Sequence, residues 1–297
     1  MKKIALLLII FSSIKSFGQN RTIDSLKQQL SVAKEDSTRF SLLSNLSYSY
    51  TYLLPDSAFR YAKKELSLAL NLDKKDLEVG YIDIGRIYRV MGNYPDAFSV
   101  FLKSLSIAKT LKDNYAISVA HYYLGEIEEI QKNYPKALND EYQAEYFDIR
   151  KTSLVWDYIE LASIHQKAGN FDSALFYATK AKAINLQLTP NTIYDWLLYV
   201  LGNIYFERGM YQAALLNYYT AITKCIEQGT PKDLIDIYEG IAKAYKNEGK
   251  VDSAISYAYK AFRDSSTIIY PAGRLEATQS LADLYMMRNN SDSAITY

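Results

Sequence analysis

Apolar residues recur at helical spacing from Asp195 to Glu227, in two runs that are separated at Gly209. The first run consists of Leu198, Leu201, Gly202 and Tyr205, at i, i+3, i+4 and i+7, and the second of Tyr211, Ala214, Leu215, Tyr218, Ala221 and Ile222. Each run forms one apolar face, so the segment predicts two helices packed face to face. We expect the backbones to be closest at Gly202 and Ala214, where the side chains are small. Tyrosine rings are expected in the wider gaps, at Tyr205, Tyr211 and Tyr218.

The same pair of small residues recurs along most of the chain. The first small position is held by Gly85, Gly125, Ala162, Gly202, Ala242 and Ala282, and the second by Ala58, Ala97, Ala137, Ala174, Ala214, Ala254 and Ala294. Within each of the last six units the two positions are twelve residues apart, and successive units are offset by 40 residues except for one step of 37 and one of 39. The sequence therefore predicts about seven copies of one helical hairpin.

The order Leu201-Gly202-x-x-Tyr205, Gly209-x-Tyr211 and Ala214-x-x-x-Tyr218-x-x-Ala221 resembles the tetratricopeptide repeat. The resemblance implies an all-α solenoid of antiparallel helix hairpins, wound into a right-handed superhelix. The period of about 40 residues exceeds the usual period of about 34, so longer helices are expected. HEAT repeats run about 40 to 47 residues, but the glycine and alanine positions favour the tetratricopeptide repeat.

Residues typical of helix ends lie between the apolar runs. Glycines that can end the first helices are Gly92, Gly169, Gly209 and Gly249. Aspartates that precede Ser-Ala are Asp56, Asp172, Asp252 and Asp292, and we expect their side chains to accept hydrogen bonds from free amides of the second helices. Pro95 and Pro135 occupy the same position, where no amide partner is needed.

Residues 1–18 resemble a secretory signal peptide. Lys2 and Lys3 precede an apolar run from Ile4 to Phe11, and Ser16-Phe17-Gly18 forms a small-x-small cleavage pattern before Gln19. The alternative is an uncleaved amphipathic start. The signal predicts export to the periplasm or to the extracytoplasmic side of the inner membrane.

The rest of the chain divides into a capping helix and the repeats. Residues 19–36 place Ile23, Leu26, Leu30 and Ala33 on one face, as expected for a helix that covers the open end of a repeat stack. Residues 37–297 would form about six full repeats and a truncated seventh. Because Tyr297 follows Ala294 by less than one helical turn, we expect the reading frame to continue, first to complete the hairpin and then to add a segment of about 20 apolar residues that crosses a membrane.

Composition adds little chemistry to this picture. The net charge of +1 gives no reason to expect nucleic acid as a partner. Cys225 is the only cysteine and His121 and His165 the only histidines, so neither a disulfide nor a metal site is predicted, and no cofactor is expected. We expect Cys225 and His165 to be packed in the core. Tyrosine is abundant, at 28 residues, and we interpret most of it as filler between helices.

Catalytic signatures are missing from the sequence: it has no phosphate-binding glycine loop, nucleophile elbow, zinc-protease motif or kinase motif. The adjacent carboxylates Glu128 and Glu129 and the run Asp73-Lys74-Lys75-Asp76 are typical of solvated helices and connections. The sequence therefore favours a protein that is not an enzyme.

Candidate binding residues follow from the resemblance, which implies a concave groove lined by the first helices. The residue after each first small position, and the one three further on, are Arg86 and Arg89, Glu126 and Glu129, Ser163 and Gln166, Asn203 and Phe206, Lys243 and Lys246, and Asp283 and Met286. Charge changes along this series from basic to acidic to neutral to basic, which suggests a protein or peptide partner. The alternative is that exposed helix positions are charged in any protein.

One binding mode known in this repeat family is absent. Asn203 matches one residue of the clamp that holds a C-terminal carboxylate in some members, but Tyr199 and Gly240 stand where lysine and asparagine are needed.

The signal, the cap with Ile23 to Lys27, and 40-residue units resemble the extracytoplasmic half of bacterial sensor histidine kinases and related regulators. We therefore expect the sensory or assembly part of a larger signalling protein. The alternative is a free periplasmic scaffold or adaptor that binds peptides in its groove.

Overall fold

The structure is a computed structural model that describes residues 21–148, 151–188, 194–228, 230, 233–265, 271–288 and 294. The expected signal peptide and Asp292 lie outside the described residues. The chain divides into two compact units, Met1–Ile127 and Glu128–Tyr297. Fourteen helices and no strands occur among the described residues, so the all-α prediction is confirmed.

The first unit begins with α1, at residues 21–32. It continues with α2 (Asp36–Tyr50), α3 (Pro55–Ala69), α4 (Lys74–Val90) and α5 (Tyr94–Leu111), and α6 (Asn114–Ile130) contains the division between the units. Helices α2 and α3 form one antiparallel pair, α4 and α5 the next, and α3 packs on α4. Ile23, Leu26 and Leu30 of α1 pack in the cluster that also contains Leu46 and Tyr50 of the first pair. The first helix thus buries its apolar face on the first hairpin.

The second unit repeats the same arrangement. Its helices are α7 (Tyr134–Phe147), α8 (Lys151–Lys167), α9 (Phe171–Leu188), α10 (Asp195–Glu207), α11 (Tyr211–Gln228), α12 (Asp233–Asn247), α13 (Val251–Ser265) and α14 (Pro271–Met287). The hairpins are α8 with α9, α10 with α11 and α12 with α13, while α10 packs on α8, α12 on α10, and α14 on both α12 and α13. The predicted stack of hairpins is therefore confirmed, and its right-handed winding stays a prediction. None of the described helices combines the length and apolar composition needed to cross a bilayer.

The small residues of the repeat make room for rings of the partner helix. A Cβ atom at Gly202 would lie within 2.4 Å of the ring of Tyr218, and one at Gly85 within 2.5 Å of Phe101. Both rings are buried, and Tyr218 also lies against Gly240 of the next first helix. The ring of Tyr218 thus occupies the space left by the missing side chain of Gly202.

The turns within the hairpins use left-handed backbone angles, as predicted. Gly92, Gly169, Gly209 and Gly249 have φ between 73° and 80°. Lys132 occupies the equivalent turn between α6 and α7 with φ of 61°, although it is not a glycine. A non-glycine residue costs about 1 to 2 kcal/mol in this conformation. The sequence lacks the glycine there, but the hairpin turns in the same way.

The aspartates before Ser-Ala do not cap the second helices. Asp56, Asp172 and Asp252 are each the second residue of α3, α9 and α13, and the N-cap residue of α3 is Leu54. A carboxylate in the first turn still interacts favourably with the helix dipole. Asp172 pairs with Arg208, and Asp252 lies 3.4 Å from Arg288, so these side chains link neighbouring hairpins instead. The predicted capping role was wrong, because these aspartates lie inside the first turn of the helix and not at the N-cap position.

Other residues supply the caps. The Asp73 carboxylate accepts hydrogen bonds from the amides of Lys75 and Asp76, at 2.8 and 2.9 Å, and begins α4. Pro95 and Pro135 are the second residues of α5 and α7, where proline is tolerated as predicted. The run from Asp73 to Asp76 is thus a helix start, which agrees with the expectation of a solvated helix or connection.

Candidate functional site

The groove face is defined here as the helix face that carries the predicted binding residues of the first helices. In the first unit it comprises Arg86 and Arg89 on α4 and Glu126 on α6; in the second, Glu129, Ser163 and Gln166, Asn203 and Phe206, Lys243 and Lys246, and Asp283 and Met286. Direct contacts between α8 and α10, α10 and α12, and α12 and α14 bring these faces together in the second unit. The binding role of these residues stays a prediction.

Arginine side chains of the first unit are held by acidic neighbours. Arg86 donates to Asp83 at 2.9 Å and its guanidinium lies 4.8 Å from the ring centroid of Tyr48. Arg89 donates to Glu126 on α6 and, at 3.3 Å, to the hydroxyl of Tyr52. Burial opposes the charge of Arg89, but the Glu126 carboxylate more than offsets this and holds the pKa above its ordinary value. The expected step from basic to acidic is therefore an ion pair between neighbouring helices.

Carboxylates at the end of α6 are buried, contrary to the expectation of a solvated helix. Glu128 is 6% and Glu129 9% exposed. Glu129 accepts from Lys167 at 2.7 Å and from Ser163 at 3.4 Å, and Glu128 accepts from Asn133 at 2.8 Å. Burial lowers the pKa of Lys167, but the Glu129 carboxylate outweighs that effect and raises it overall. The two adjacent carboxylates join helices and turns, and the sequence does not predict this because Ser163 and Lys167, the partners of Glu129, belong to the next hairpin.

The charged end of the groove face lies on α12 and α14. Lys243 pairs with Glu276 of α14, while both side chains remain about half exposed. Glu239 is only 3% exposed, and burial raises its pKa to about 7. Lys246 is half-buried one turn beyond Lys243. The first two turns of α12 thus carry the acidic residues Asp233, Asp236 and Glu239, whereas its last two turns carry Lys243 and Lys246.

Four aromatic residues continue the groove face and were not among the predicted residues. Trp156 and Trp196 each lie seven residues before a predicted position, and helix periodicity places residues seven apart on one face. The ring centroids of Trp156 and Tyr194 are 4.7 Å apart, as are those of Trp196 and Tyr199. Trp156 is 39% exposed and Trp196 is half-buried. We refer to Trp156, Tyr194, Trp196 and Tyr199 as the aromatic surface.

On α10, the groove face continues from the aromatic surface to Asn203 and Phe206. Burial raises the pKa of Tyr199 well above its ordinary value. Asn203, a predicted binding residue, accepts a hydrogen bond of 2.7 Å from Tyr218, so its side chain is fixed. Phe206 lies 5.7 Å from the ring of Tyr211, and Met286 is 59% exposed on α14. Extending the predicted positions by two turns toward the helix starts would have found the tryptophans from sequence.

Cysteine and histidine are packed in the core, as predicted. Cys225 is 1% exposed, and its thiol donates to the carbonyl of Thr230 at 2.7 Å. Burial raises the pKa of this thiol to about 12, so it stays protonated and unreactive at neutral pH. His165 is stacked on Tyr177 with ring centroids 5.5 Å apart, and burial lowers its pKa. Within the described ranges no cluster of three or more possible metal ligands is found.

Comparison with known proteins agrees with this geometry. The family model described as the SusR N-terminal TPR domain matches residues 17–157. No curated protein sequence matches the chain significantly.

Solved structures share the fold at low sequence identity. The Cut9–Hcn1 hetero-tetramer of the APC/C matches with a TM-score of 0.60 and 17% identity, over 93% of this chain and 54% of that one. Aspartyl phosphate phosphatase F from Bacillus subtilis matches with a TM-score of 0.67 and 18% identity, over 84% and 68%. A tetratricopeptide repeat protein from Parabacteroides merdae matches with a TM-score of 0.56 and 16% identity, over 86% and 90%. The chain thus spans about half the length of the Cut9 structure, and these likenesses concern the fold.

Proposed function

We propose that this chain, which has the tetratricopeptide repeat fold, binds protein or peptide segments and catalyses no reaction. The observation that carries the proposal is the groove face of the second unit, which combines partly exposed aromatic rings on α8 and α10 with lysines on α12. Trp156 and Trp196 offer apolar area with little side-chain entropy to lose, and such residues are enriched at protein interfaces. Stacks of helical hairpins present surfaces of this kind to extended segments.

The partner segment that fits this face has two parts. Apolar or aromatic side chains would contact the aromatic surface and Phe206 on α8 and α10. Acidic side chains would then contact Lys243 and Lys246 on α12, because opposite charges fix the register of a bound segment. Lys246 has no ion-pair partner among the described residues, so its charge is available to a ligand.

Intrinsic fluorescence can test this proposal directly, because Trp156 and Trp196 are the only tryptophans in the chain. A short synthetic peptide with leucine and phenylalanine followed by aspartates is titrated into the purified protein. We expect a saturable change in emission, and about fivefold to tenfold weaker binding for Phe206→Ala or Lys246→Gln. The control Lys182→Gln removes an exposed charge from the second helix α9 and should bind as the wild type does. No saturable change, or equal weakening in the control, would contradict the proposal.

We further propose that the protein is exported and is the sensory or assembly part of a larger, histidine-kinase-like signalling protein. Support comes from the signal-like residues 1–18 and from a matching family model that describes an N-terminal domain. The second candidate is a free periplasmic scaffold, with which the signal-like residues 1–18 are equally compatible. The coding sequence downstream of residue 297 separates them: a membrane-spanning segment followed by a kinase domain supports the first, and a stop codon supports the second.

A further inference from the structure

A cleft of about 520 Å³ lies in the first unit, between α1, α2 and the end of α3. Its size is that of a pocket for a small molecule. Three leucines from the three helices supply its apolar part: Leu30, Leu43 and Leu68. None of these residues belongs to the groove face, and the cleft is therefore a separate candidate site.

All charged residues that line the cleft are cations: Arg39, Lys63 and Lys64. Lys64 is exposed and has no ion pair among the described residues, and Lys63 lies only over the ring of Phe59, 4.6 Å from its centroid. Arg39 pairs with Asp36 at 3.2 Å, but its side chain is 47% exposed and retains further donors. No carboxylate is among the described residues that line the cleft, and only Arg39 of its three cations has an acidic partner. The cleft therefore keeps a net positive charge, which favours an anion.

The polar side chains that line the cleft favour a ligand that accepts hydrogen bonds over one that donates them. Arg39, Lys63 and Lys64 can only donate hydrogen bonds, and only the side chains of Ser67 and Asn71 can also accept. The Asn71 amide already donates to the carbonyl of Ser67 at 3.4 Å. A peptide would bring backbone amides that need acceptors, whereas a carboxylate on a hydrocarbon chain only accepts.

We propose that this cleft binds an amphiphilic carboxylate, with its hydrocarbon chain on the three leucines and its carboxylate between the cations. Charge-assisted hydrogen bonds from two or three cations hold the head group, and burial of methylene groups holds the chain. Both parts are needed, so a short carboxylate and a long-chain cation should each bind poorly.

The test uses decanoate as the probe, titrated into the purified full-length chain and followed by calorimetry. Acetate supplies the head group alone, and decyltrimethylammonium supplies the chain with the opposite charge. We expect saturable binding of decanoate and at least tenfold weaker binding of the other two. Equal binding of decanoate and decyltrimethylammonium would overturn the proposal, as would no saturable binding of decanoate.

Variants locate the site. Lys63→Gln with Lys64→Gln removes two exposed cations and should weaken decanoate about tenfold without loss of helicity. The matched control, Lys74→Gln with Lys109→Gln, removes two exposed lysines of the same unit that lie outside the cleft, and should bind as the wild type does. Leu68→Gln tests the apolar part and should also weaken binding. Equal weakening by the control pair, or none by the cleft pair, would show that decanoate binds elsewhere.

Discussion

Glycine at position 202 accommodates an aromatic ring, and this determines what a substitution there does. The ring of Tyr218 is 1% exposed and lies where a Cβ atom of residue 202 would be. Alanine is the better helix former by about 1 kcal/mol, but overpacking of a buried contact costs about 1 to 3 kcal/mol. The steric cost is therefore the larger of the two effects.

We predict that Gly202→Leu destabilises the protein by about 1 to 3 kcal/mol, measured as a shift in the urea midpoint. Ala183→Leu serves as the control, because Ala183 is exposed on α9 and its substitution displaces no buried group. Shrinking the ring should relieve the effect, so Gly202→Leu should cost less in a Tyr218→Leu background. Equal midpoint shifts for Gly202→Leu and Ala183→Leu would show that residue 202 is not at a packed crossing.

Glu65 is a buried glutamate at a position where the other repeats have a small residue. The equivalent positions, seven residues after each second small position, are Ser104, Ala144, Ala181, Ala221 and Ala261. Glu65 is 0% exposed, and burial, together with the negative charge of Asp83, raises its pKa to about 10. Asp83 itself accepts from Ser44 at 2.6 Å and from Arg86 at 2.9 Å. Glu65 is thus protonated in the folded protein at neutral pH.

A pH dependence of stability follows from this raised pKa. Between the unfolded pKa of about 4.5 and the folded pKa of about 10, the folded state binds more protons than the unfolded state. Stability from Glu65 is therefore fully present at acid pH and is lost as pH rises through that window, by up to about 1.4 kcal/mol per pH unit. We predict that Glu65→Gln removes this loss, so that the variant gains on the wild type from pH 5 to pH 9 in urea unfolding. The exposed carboxyl variant Glu207→Gln should follow the wild type, and parallel curves for wild type and Glu65→Gln would contradict the prediction.

At the scale of secondary-structure elements, two ion pairs join successive first helices, and one pair is more buried than the other. Arg89 and Glu126 are 19% and 23% exposed, whereas Lys243 and Glu276 are 47% and 51% exposed. Removing one partner of a buried pair leaves an uncompensated charge, and this is costly. Exposed pairs contribute about 0 to 1 kcal/mol because water and salt screen them.

Double-mutant cycles should separate the two pairs. With glutamine at each position, we predict a coupling energy of about 1 to 3 kcal/mol for Arg89 and Glu126, and below about 1 kcal/mol for Lys243 and Glu276. Glutamine is chosen because charge reversal at Arg89 would place a second negative charge beside Glu126. A larger coupling in the exposed pair would show that burial does not govern these contacts.

Tyrosines of the second unit form two equivalent clusters between neighbouring hairpins. One consists of Tyr142, Tyr158, His165, Tyr177 and Lys180, and the other of Tyr219, Tyr238, Tyr245, Tyr257 and Lys260. Tyr219 and Tyr245 share a hydrogen bond of 2.6 Å, and Tyr142 lies 3.1 Å from the imidazole of His165. His165 thus takes the place of a tyrosine hydroxyl, which explains its position in the core.

The sequence predicted the contacts that recur in every repeat. It did not predict contacts that occur only once or that join two successive repeats. The hairpins, the glycine turns and the packed His165 follow from periodicity, because each copy supports the same interpretation. Glu65 and Glu129 are buried beside charged residues of other helices, Asp83 on α4 and Lys167 on α8. The sequence of a single repeat does not identify these partners. Trp156 and Trp196 were within reach, since the groove positions extend by helical periodicity to both.

At the scale of the whole molecule, the proposed export would determine which compartment any partner of the groove face shares. The sequence pattern of a cleavable signal has three parts, and Lys2 and Lys3, the apolar run from Ile4 to Phe11, and the small residues Ser16 and Gly18 match them. Eight apolar residues are too few to cross a bilayer, which needs about 20, so cleavage rather than anchoring is expected. The residue after the predicted cleavage site is Gln19 rather than cysteine, so a lipid-anchored product is not expected.

We therefore predict that the exported protein begins at or near Gln19, as measured by mass spectrometry of the intact product from a periplasmic fraction. Because a positive start is needed to engage the export machinery, Lys2→Glu with Lys3→Glu should leave the precursor uncleaved in the cytoplasm. Lys74→Glu with Lys109→Glu makes the same change in charge within the mature region and should be exported normally. A cytoplasmic wild-type species that retains Met1 would remove the export claim, while the helical hairpins and the binding tests on their surfaces would stand unchanged.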